Sequence, residues 1–267
     1  GRVFQDEIDN HGRHRFVAYD PNIYLVKNAD ARKFKKVKAS DIVKRLCNDF
    51  GVPIGSIEDT GYVIPKLYFQ DGSTLWDMMI TALTETEKHT GKRFFIINRQ
   101  GRLELRRRSK HVSFWVVENG RNILEASYSR SIEDLKTQVK VTGGNDKREF
   151  TATVKNDDLI KEFGRLQHYE RFSDKDVTSA QVKQKADTLL KQLGTIDDVG
   201  VITALGNDEV ISTTAVYVRE ETTRMMGAYY VASDNHIFTA GTHTMSLTLS
   251  ATDELPRLEY VHKEDKK

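Results

Sequence analysis

One cysteine in 267 residues leaves no internal disulfide framework, so packing alone must hold the fold, and a lone thiol suits a reducing compartment. Cys47 lies in DIVKRLCNDF on the stripe Ile42, Val43, Leu46, Cys47, Phe50, which predicts a core side chain rather than a nucleophile. No apolar run approaches the ~20 residues a membrane helix needs, and nothing at the start resembles a signal peptide. A membrane partner is therefore not expected. An excess of one charge is missing too: 41 Lys and Arg against 39 Asp and Glu leave a net charge of +2, too little to recruit nucleic acid by a global field. The chain also lacks the phosphate-cradling G-x-x-x-x-G-K-[ST], a G-x-G-x-x-G between strand and helix, H-E-x-x-H and a G-x-S-x-G elbow. The sequence reading is of a non-enzyme, with no catalytic, cofactor-binding or metal-binding residue assigned and no cofactor expected. Paired carboxylates of the glycosidase kind are not excluded by spacing, because the fold sets their separation.

What is present is enough apolar content, 38%, to bury a real core in one large or two modest domains. The chain opens in GRVFQDEIDNHGRHRF without an initiating methionine, which reads as a fragment whose upstream part is missing. His11 and His14 in HGRH are expected in a loop as a solvated pair rather than a metal clamp. HRFVAYD reads as a strand, Pro21 as a break and IYLVKN as a second short strand. Ser40 is the expected cap of a helix over 41–50, stopped by Gly51 and Pro53. After a short strand around 66–69 and the turn QDGST, Leu75, Met78, Met79, Ala82, Leu83 and Thr86 line one face of a longer helix ending near Gly91. Its methionines and Trp76 read as core. RFFIINRQGRLELRRR is a hairpin around Arg99-Gln100-Gly101. Arg102, Glu104, Arg106 and Arg108 share a face that reads as solvated rather than nucleic-acid-binding, because no aromatics interleave with them.

From residue 111 the pattern is mainly β: HVSFWVVE, RNILEASYSR, LKTQVKVTGG, REFTATV, VGVITALG and TTAVYVRE. Two helices interrupt it, one after Asn156 with Leu159, Ile160, Phe163 and Leu166 on one face. The other runs from Thr178 or Ser179 to Gly194 with Val182, Ala186, Leu189, Leu190 and Leu193 as its stripe. Asp157-Asp158 and Asp197-Asp198 are expected at helix starts and turns, where carboxylates cap amides. The stretch GAYYVASDNHIFTAGTHTMSLTLS reads as a hairpin turning at Ala240-Gly241, with Thr239 opposite Thr242, Phe238 opposite His243 and His236 opposite Met245. His236, Phe238, His243, Met245, Leu247 and Leu249 then share an apolar face, on which the reading finds no Cys, Asp or Glu. The histidines are expected to be wall residues with a hydrogen bond each, not a zinc site. The fold class is α+β, mainly β: two small β-barrel domains with an inserted α/β unit and a helical excursion in the second barrel.

AYDPNIYLVKN, KASDIVKRLCNDFGVPIGSI, DGSTLWDMMITALTETEKHTGKRFFIINRQGRLEL, SIEDLKTQVKVTGG, SAQVKQKADTLLKQLG and the closing hairpin stand in an order that resembles the baseplate hub proteins of phage-like contractile tails in Gram-positive bacteria. The resemblance covers nearly all of 17–251. It implies a homotrimeric ring of two similar barrels per chain, which mates a hexameric tail tube with a threefold central spike beside other baseplate or LysM-containing tail proteins. It further implies a place in the tail baseplate of a virion or phage-like particle, after synthesis in the bacterial cytoplasm. On that reading residues 1–28 are the remnant of a first barrel, 29–108 an inserted α/β domain, and 109–267 a barrel with a helical insertion at about 156–194. The alternative is a component that binds or degrades peptidoglycan, since the βα segment within 31–70 superficially resembles LysM-like modules. Such modules are far shorter than this chain.

Overall fold

The structure is a computed structural model and describes residues 1–108, 114–145, 148–172, 177–251, 258 and 260, without the side chains of Asp71, Phe114 and Asn145. The chain divides into two compact units, Gly1–Val112 with Glu254–Lys267, and Ser113–Asp253.

The first unit opens with an antiparallel hairpin of β1 (Arg2–Ile8) and β2 (His14–Tyr19), its turn closed by the Asp9 carboxylate, which accepts from the amides of His11 and Arg13 at 2.9 Å each. IYLVKN is not the expected strand. Ile23–Lys27 form a short helix, α1. The Asp20 carboxylate takes the Asn22 amide at 2.7 Å, Pro21 presets the first turn, and the fully buried Leu25 anchors it. The β-branched and aromatic composition of the stretch yields to that anchor.

β3 (Ala29–Lys38) leads directly into α2 (Ala39–Asp49), then β4 (Ile54–Ile57), β5 (Val63–Thr74), α3 (Leu75–Thr90), β6 (Phe94–Arg99) and β7 (Arg102–Arg107). β3 pairs antiparallel with β5, and a second sheet runs β4-β7-β6. Ser40 is not the cap of α2. Lys38 holds that position without a side-chain bond, and Ser40 is buried in the first turn, its amide donating to Thr60 Oγ1 at 3.2 Å. The orphan amide is thus satisfied by a residue twenty positions away, which local capping rules do not see. α3 follows its signals: Thr74 Oγ1 accepts from the Asp77 amide at 3.0 Å, and Gly91 ends the helix in the left-handed region at φ 66°. Its apolar stripe, Leu75, Met78, Met79 and Ala82, packs with Ile42, Leu46 and Cys47 of α2 and with Leu67, Leu103 and Leu105 from the sheets. In β7, Leu103 and Leu105 face this core, while Arg106 turns away to bind Glu104 at 2.6 Å.

The second unit contains β8 (Phe114–Glu118), β9 (Ile123–Ser131), β10 (Gln138–Asn145), β11 (Arg148–Lys155), α4 (Asp157–Phe163), β12 (Gln167–Arg171), α5 (Ser179–Leu193), β13 (Asp197–Leu205), β14 (Ala215–Glu220), β15 (Met225–Thr239) and β16 (Thr242–Ser250). Six strands form a sheet in the order β8-β14-β15-β16-β13-β9, curled like half a barrel, and the fold class is α+β, mainly β. A smaller sheet, β11-β10-β12, carries α5 on its Val139–Val141 face, where Val182 and Ala186 are fully buried. Thr178 and Gln181 close a capping box on α5, and Asn156 caps α4 through the Leu159 amide at 3.2 Å. α4 itself buries none of its residues, so its apolar stripe is not a core face. β12 escaped the sequence reading because QHYER has no apolar alternation; the open edge of β10 recruits it in parallel. Asp197 and Asp198 lie not at a helix start or turn but in β13, opposite Ser131 and Arg130, where Asp198 accepts from the Tyr128 hydroxyl at 2.9 Å. That bond pushes the Tyr128 phenol above its usual range.

Two outcomes follow. Burial pushes the Cys47 thiol up to about 12, so it stays protonated and should resist a thiol reagent at pH 8 until denaturant is added; rapid native labelling would refute this. Leu247 is fully buried in the six-stranded sheet, so Leu247→Asp should cost about 3 to 5 kcal/mol and drive the protein into the insoluble fraction, whereas a soluble variant with native circular dichroism would contradict the assigned face.

Candidate functional site

The hairpin of β15 and β16 turns at Ala240-Gly241, both at positive φ (49° and 79°), a two-residue loop whose twist matches the strands. It fixes the register that the sequence predicts: Thr239 opposite Thr242, Phe238 opposite His243, His236 opposite Met245. Met245, Leu247 and Leu249 enter the core, while Phe238, 71% exposed, lies beyond it and stacks on the His243 ring at 4.0 Å and 18°. The expectation that no carboxylate shares this face is corrected. Asp234 sits two residues before His236, opposite Leu247, and strand alternation places it beside the imidazole.

The two rings are bonded to each other, His236 Nδ1 to His243 Nε2 at 2.8 Å. The other nitrogen of His236, Nε2, lies 2.9 Å from the Val210 carbonyl oxygen and 3.5 Å from Asp234 Oδ2. A carbonyl only accepts, so His236 Nε2 carries hydrogen; in the neutral ring Nδ1 must then accept, and His243 Nε2 donates to it. The arrangement fastens the loop between β13 and β14. The Gly206 amide donates to the His243 carbonyl at 2.8 Å, the Ser212 amide to Asp234 Oδ1 at 2.6 Å, and the Thr213 amide to the Val231 carbonyl at 3.2 Å. Thr213 is held at φ 80°, a strained conformation for a β-branched residue. Val210, from the same loop, is fully buried and with Trp115, Asn122, Asn207 and Met245 lines a cavity of about 260 Å³.

This cluster is a polar fastening beside an apolar wall: its donors and acceptors face one another. Among the described residues, no group of three or more His, Cys, Asp or Glu is placed to hold a metal ion. His11 and His14 are not brought to it. His11 is in the first hairpin's turn, and His14 opens β2, where its ring meets the Asp6 carboxylate in solvent. Glu220 is a buried carboxylate that the sequence reading missed. It ends β14 and accepts from the Thr223 amide at 2.6 Å, the Thr223 hydroxyl at 2.5 Å and the Thr222 amide at 3.2 Å, which hold it below the usual carboxylate range. The run Glu220-Glu221-Thr222-Thr223 between two strands is the signal that could have found it.

Gly206 shows how close the loop comes. A Cβ at that position would sit 2.1 Å from the His243 ring, so only glycine lets the loop reach the imidazole. Gly206→Ala should therefore displace the ring or the loop and lower the melting temperature of the second unit, at a cost of about 1 to 3 kcal/mol. An unchanged melt would mean that loop and ring are not in contact.

The family model described as YQBQ-like matches residues 1–250. The protein YqbQ of Bacillus subtilis is 34% identical over 257 residues, 96% of this chain and 78% of that protein. The phage-like element PBSX protein XkdQ of the same organism matches to the same extent. Among solved structures, the 43 kDa tail protein of prophage MuSo2 from Shewanella oneidensis shares the fold, with TM-score 0.67 and 15% identity over 94% of this chain and 78% of that one. A family match over residues 1–250 and relatives at 34% identity make the assignment plain: this chain belongs to the YqbQ-like family, together with XkdQ of PBSX.

Proposed function

We propose that the protein is a structural component of a phage-like tail baseplate, and that as a homotrimeric hub it joins a hexameric tail tube to a trimeric central spike. The observation that carries this reading is the fold shared with a prophage tail protein over 94% of the chain, in a chain whose relatives include a PBSX protein at 34% identity. The curled sheet of the second unit supports it. The sheet ends in two strands, β8 and β9, with exposed Trp115, Val116, Leu124 and Tyr128 along them. Open edges and bare apolar side chains favour association, because self-association buries both. A presenting surface also suits a near-neutral chain without a recognisable catalytic spacing. In the assembled particle the protein would sit at the tail's distal end, beside the spike and the other baseplate proteins.

Light scattering on the protein tests the hub. A mass three times that of the chain is expected at micromolar concentration. Leu124→Glu on β9, more than half exposed and so harmless to the fold, should shift the mass toward the monomer. A wild-type monomer at tens of micromolar, or a trimer indifferent to the substitution, would count against the ring or against this edge as part of it.

A further inference from the structure

We infer that copies of the chain associate head to tail, the lysine face of the first unit in one copy meeting the acidic end of the β9 edge in the next. The inference rests on the hub reading, to whose homotrimer it gives a polarity. It starts from a segregation of charge that the near-neutral total hides. The first unit, residues 1–112 with 254–267, carries 25 Lys and Arg against 18 Asp and Glu, a net charge of +7. The second, residues 113–253, carries 16 against 21, a net charge of −5. Such fields attract when unlike units of two copies meet and repel when like units do. An isologous contact sets a patch against itself, whereas a heterologous contact joins two different patches and can close into a ring. The charges favour the ring.

On the first unit the excess is local. In β3 both Phe34 and Val37 turn to the core, and the positive φ of Lys36, 48°, accommodates the extra residue between them, so Lys35 and Lys36 are exposed side by side. Lys33, also exposed, holds its ammonium 4.6 Å from the centre of the Tyr68 ring, and Lys35 stands opposite Lys66. Like charges directly opposite each other cost stability. Arg32 and Lys38 on the same strand are paired with carboxylates, but among the described residues Lys33, Lys35 and Lys36 have no such partner. Lysines of this kind keep a strand from pairing with a copy of itself, while leaving it open to an acidic surface. On the second unit β9 ends the six-stranded sheet. Just past β9 the Glu133 amide donates to Ser131 Oγ at 3.2 Å, and Asp197 lies opposite Ser131 in the ladder. Glu133, Asp134 and Asp197 are exposed together, and among the described residues none has a cationic partner. Arg130 on the same strand is held by Asp198 at 3.6 Å. Ile132 and Tyr128, both exposed, add apolar surface beside these carboxylates.

Zero-length carbodiimide coupling of lysines to carboxylates, in a mixture of heavy-isotope-labelled and unlabelled wild-type chains, tests the contact. Cross-linked peptides of mixed label should join Lys33, Lys35 or Lys36 of one copy to Glu133, Asp134 or Asp197 of another. By light scattering, raising NaCl from about 0.1 M to about 1 M, which shortens the screening length from ~10 Å to ~3 Å, should weaken association by about tenfold or more. Lys33→Glu with Lys35→Glu should shift the mass toward the monomer, and Glu133→Lys with Asp134→Lys should do the same. All four changes in one chain put opposite signs back at the contact and should restore the wild-type mass. A wild-type trimer whose mixed-label links do not join these residues overturns the inference and leaves the hub reading standing. Charge-reversed variants that assemble like the wild type have the same consequence, as does a variant with all four changes that folds by circular dichroism yet stays monomeric. A wild-type chain that remains monomeric at about 0.1 M NaCl removes the hub reading and the inference together. If the variant with all four changes does not fold, the wild-type cross-links decide by themselves.

Discussion

The second unit depends on the pairing of β16, which is hydrogen-bonded to β15 on one side and β13 on the other. Its alternation sends Met245, Leu247 and Leu249 into the core, and because the period is two, a slip of one residue would turn all three to the opposite face. The Ala240-Gly241 turn sets the register at one end. At the other, an irregularity between Val231 and Ser233 lets the long β15 leave β16 and continue along β14, so Tyr230 stands opposite both Ser250 and Ala215. Curvature, core and the position of the histidines all descend from those two devices.

The first unit is fastened differently. Two helices that bury whole stripes of Leu, Met and Ile share one core with two small sheets, and polar tertiary contacts then fix the ends of elements. Thr60 caps α2 from a distant loop, and Arg32 on β3 reaches Asp30 at 2.6 Å and Asp49, the last residue of α2, at 2.6 Å. The bond to Arg32 holds the Asp30 carboxyl below its usual range, and its bonds to the two carboxylates hold the guanidinium above its own. These charges are close to solvent, so they orient elements more than they stabilise them. Burial of apolar surface supplies the stability.

The histidine pair shows why a polar cluster survives at the margin of an apolar wall. Each nitrogen that faces the interior has a partner, and the partners come from three segments, β15, β16 and the loop at Val210. Such a network specifies one placement of the loop more sharply than apolar contact could, because its hydrogen bonds are directional and an unmade one is costly. It requires Gly206, where no side chain fits.

By itself the sequence determined the elements whose signals are local. The spacing of Leu75, Met78, Met79 and Ala82 with Gly91 near its end defined α3; the stripe of Val182, Ala186, Leu189 and Leu190 after Thr178 or Ser179 defined α5; Ala240-Gly241 with flanking alternation defined the closing hairpin and its register. The stripe of α2 placed Cys47 in a core, and the ordered phrases of the chain pointed to its family. Tertiary structure alone decided the rest. It made Ile23–Lys27 a helix because Leu25 had a core to enter, and it drew QHYER into a sheet because β10 had an edge to offer. It took Ser40 from the cap position and gave that work to Thr60, and it brought Val210, Asp234, His236 and His243 together from segments separated in sequence. The physical reason is common to all of these. Propensity and periodicity act over a few residues, whereas the partner that satisfies a buried donor or completes a sheet is set by which distant segment the folded chain carries alongside it.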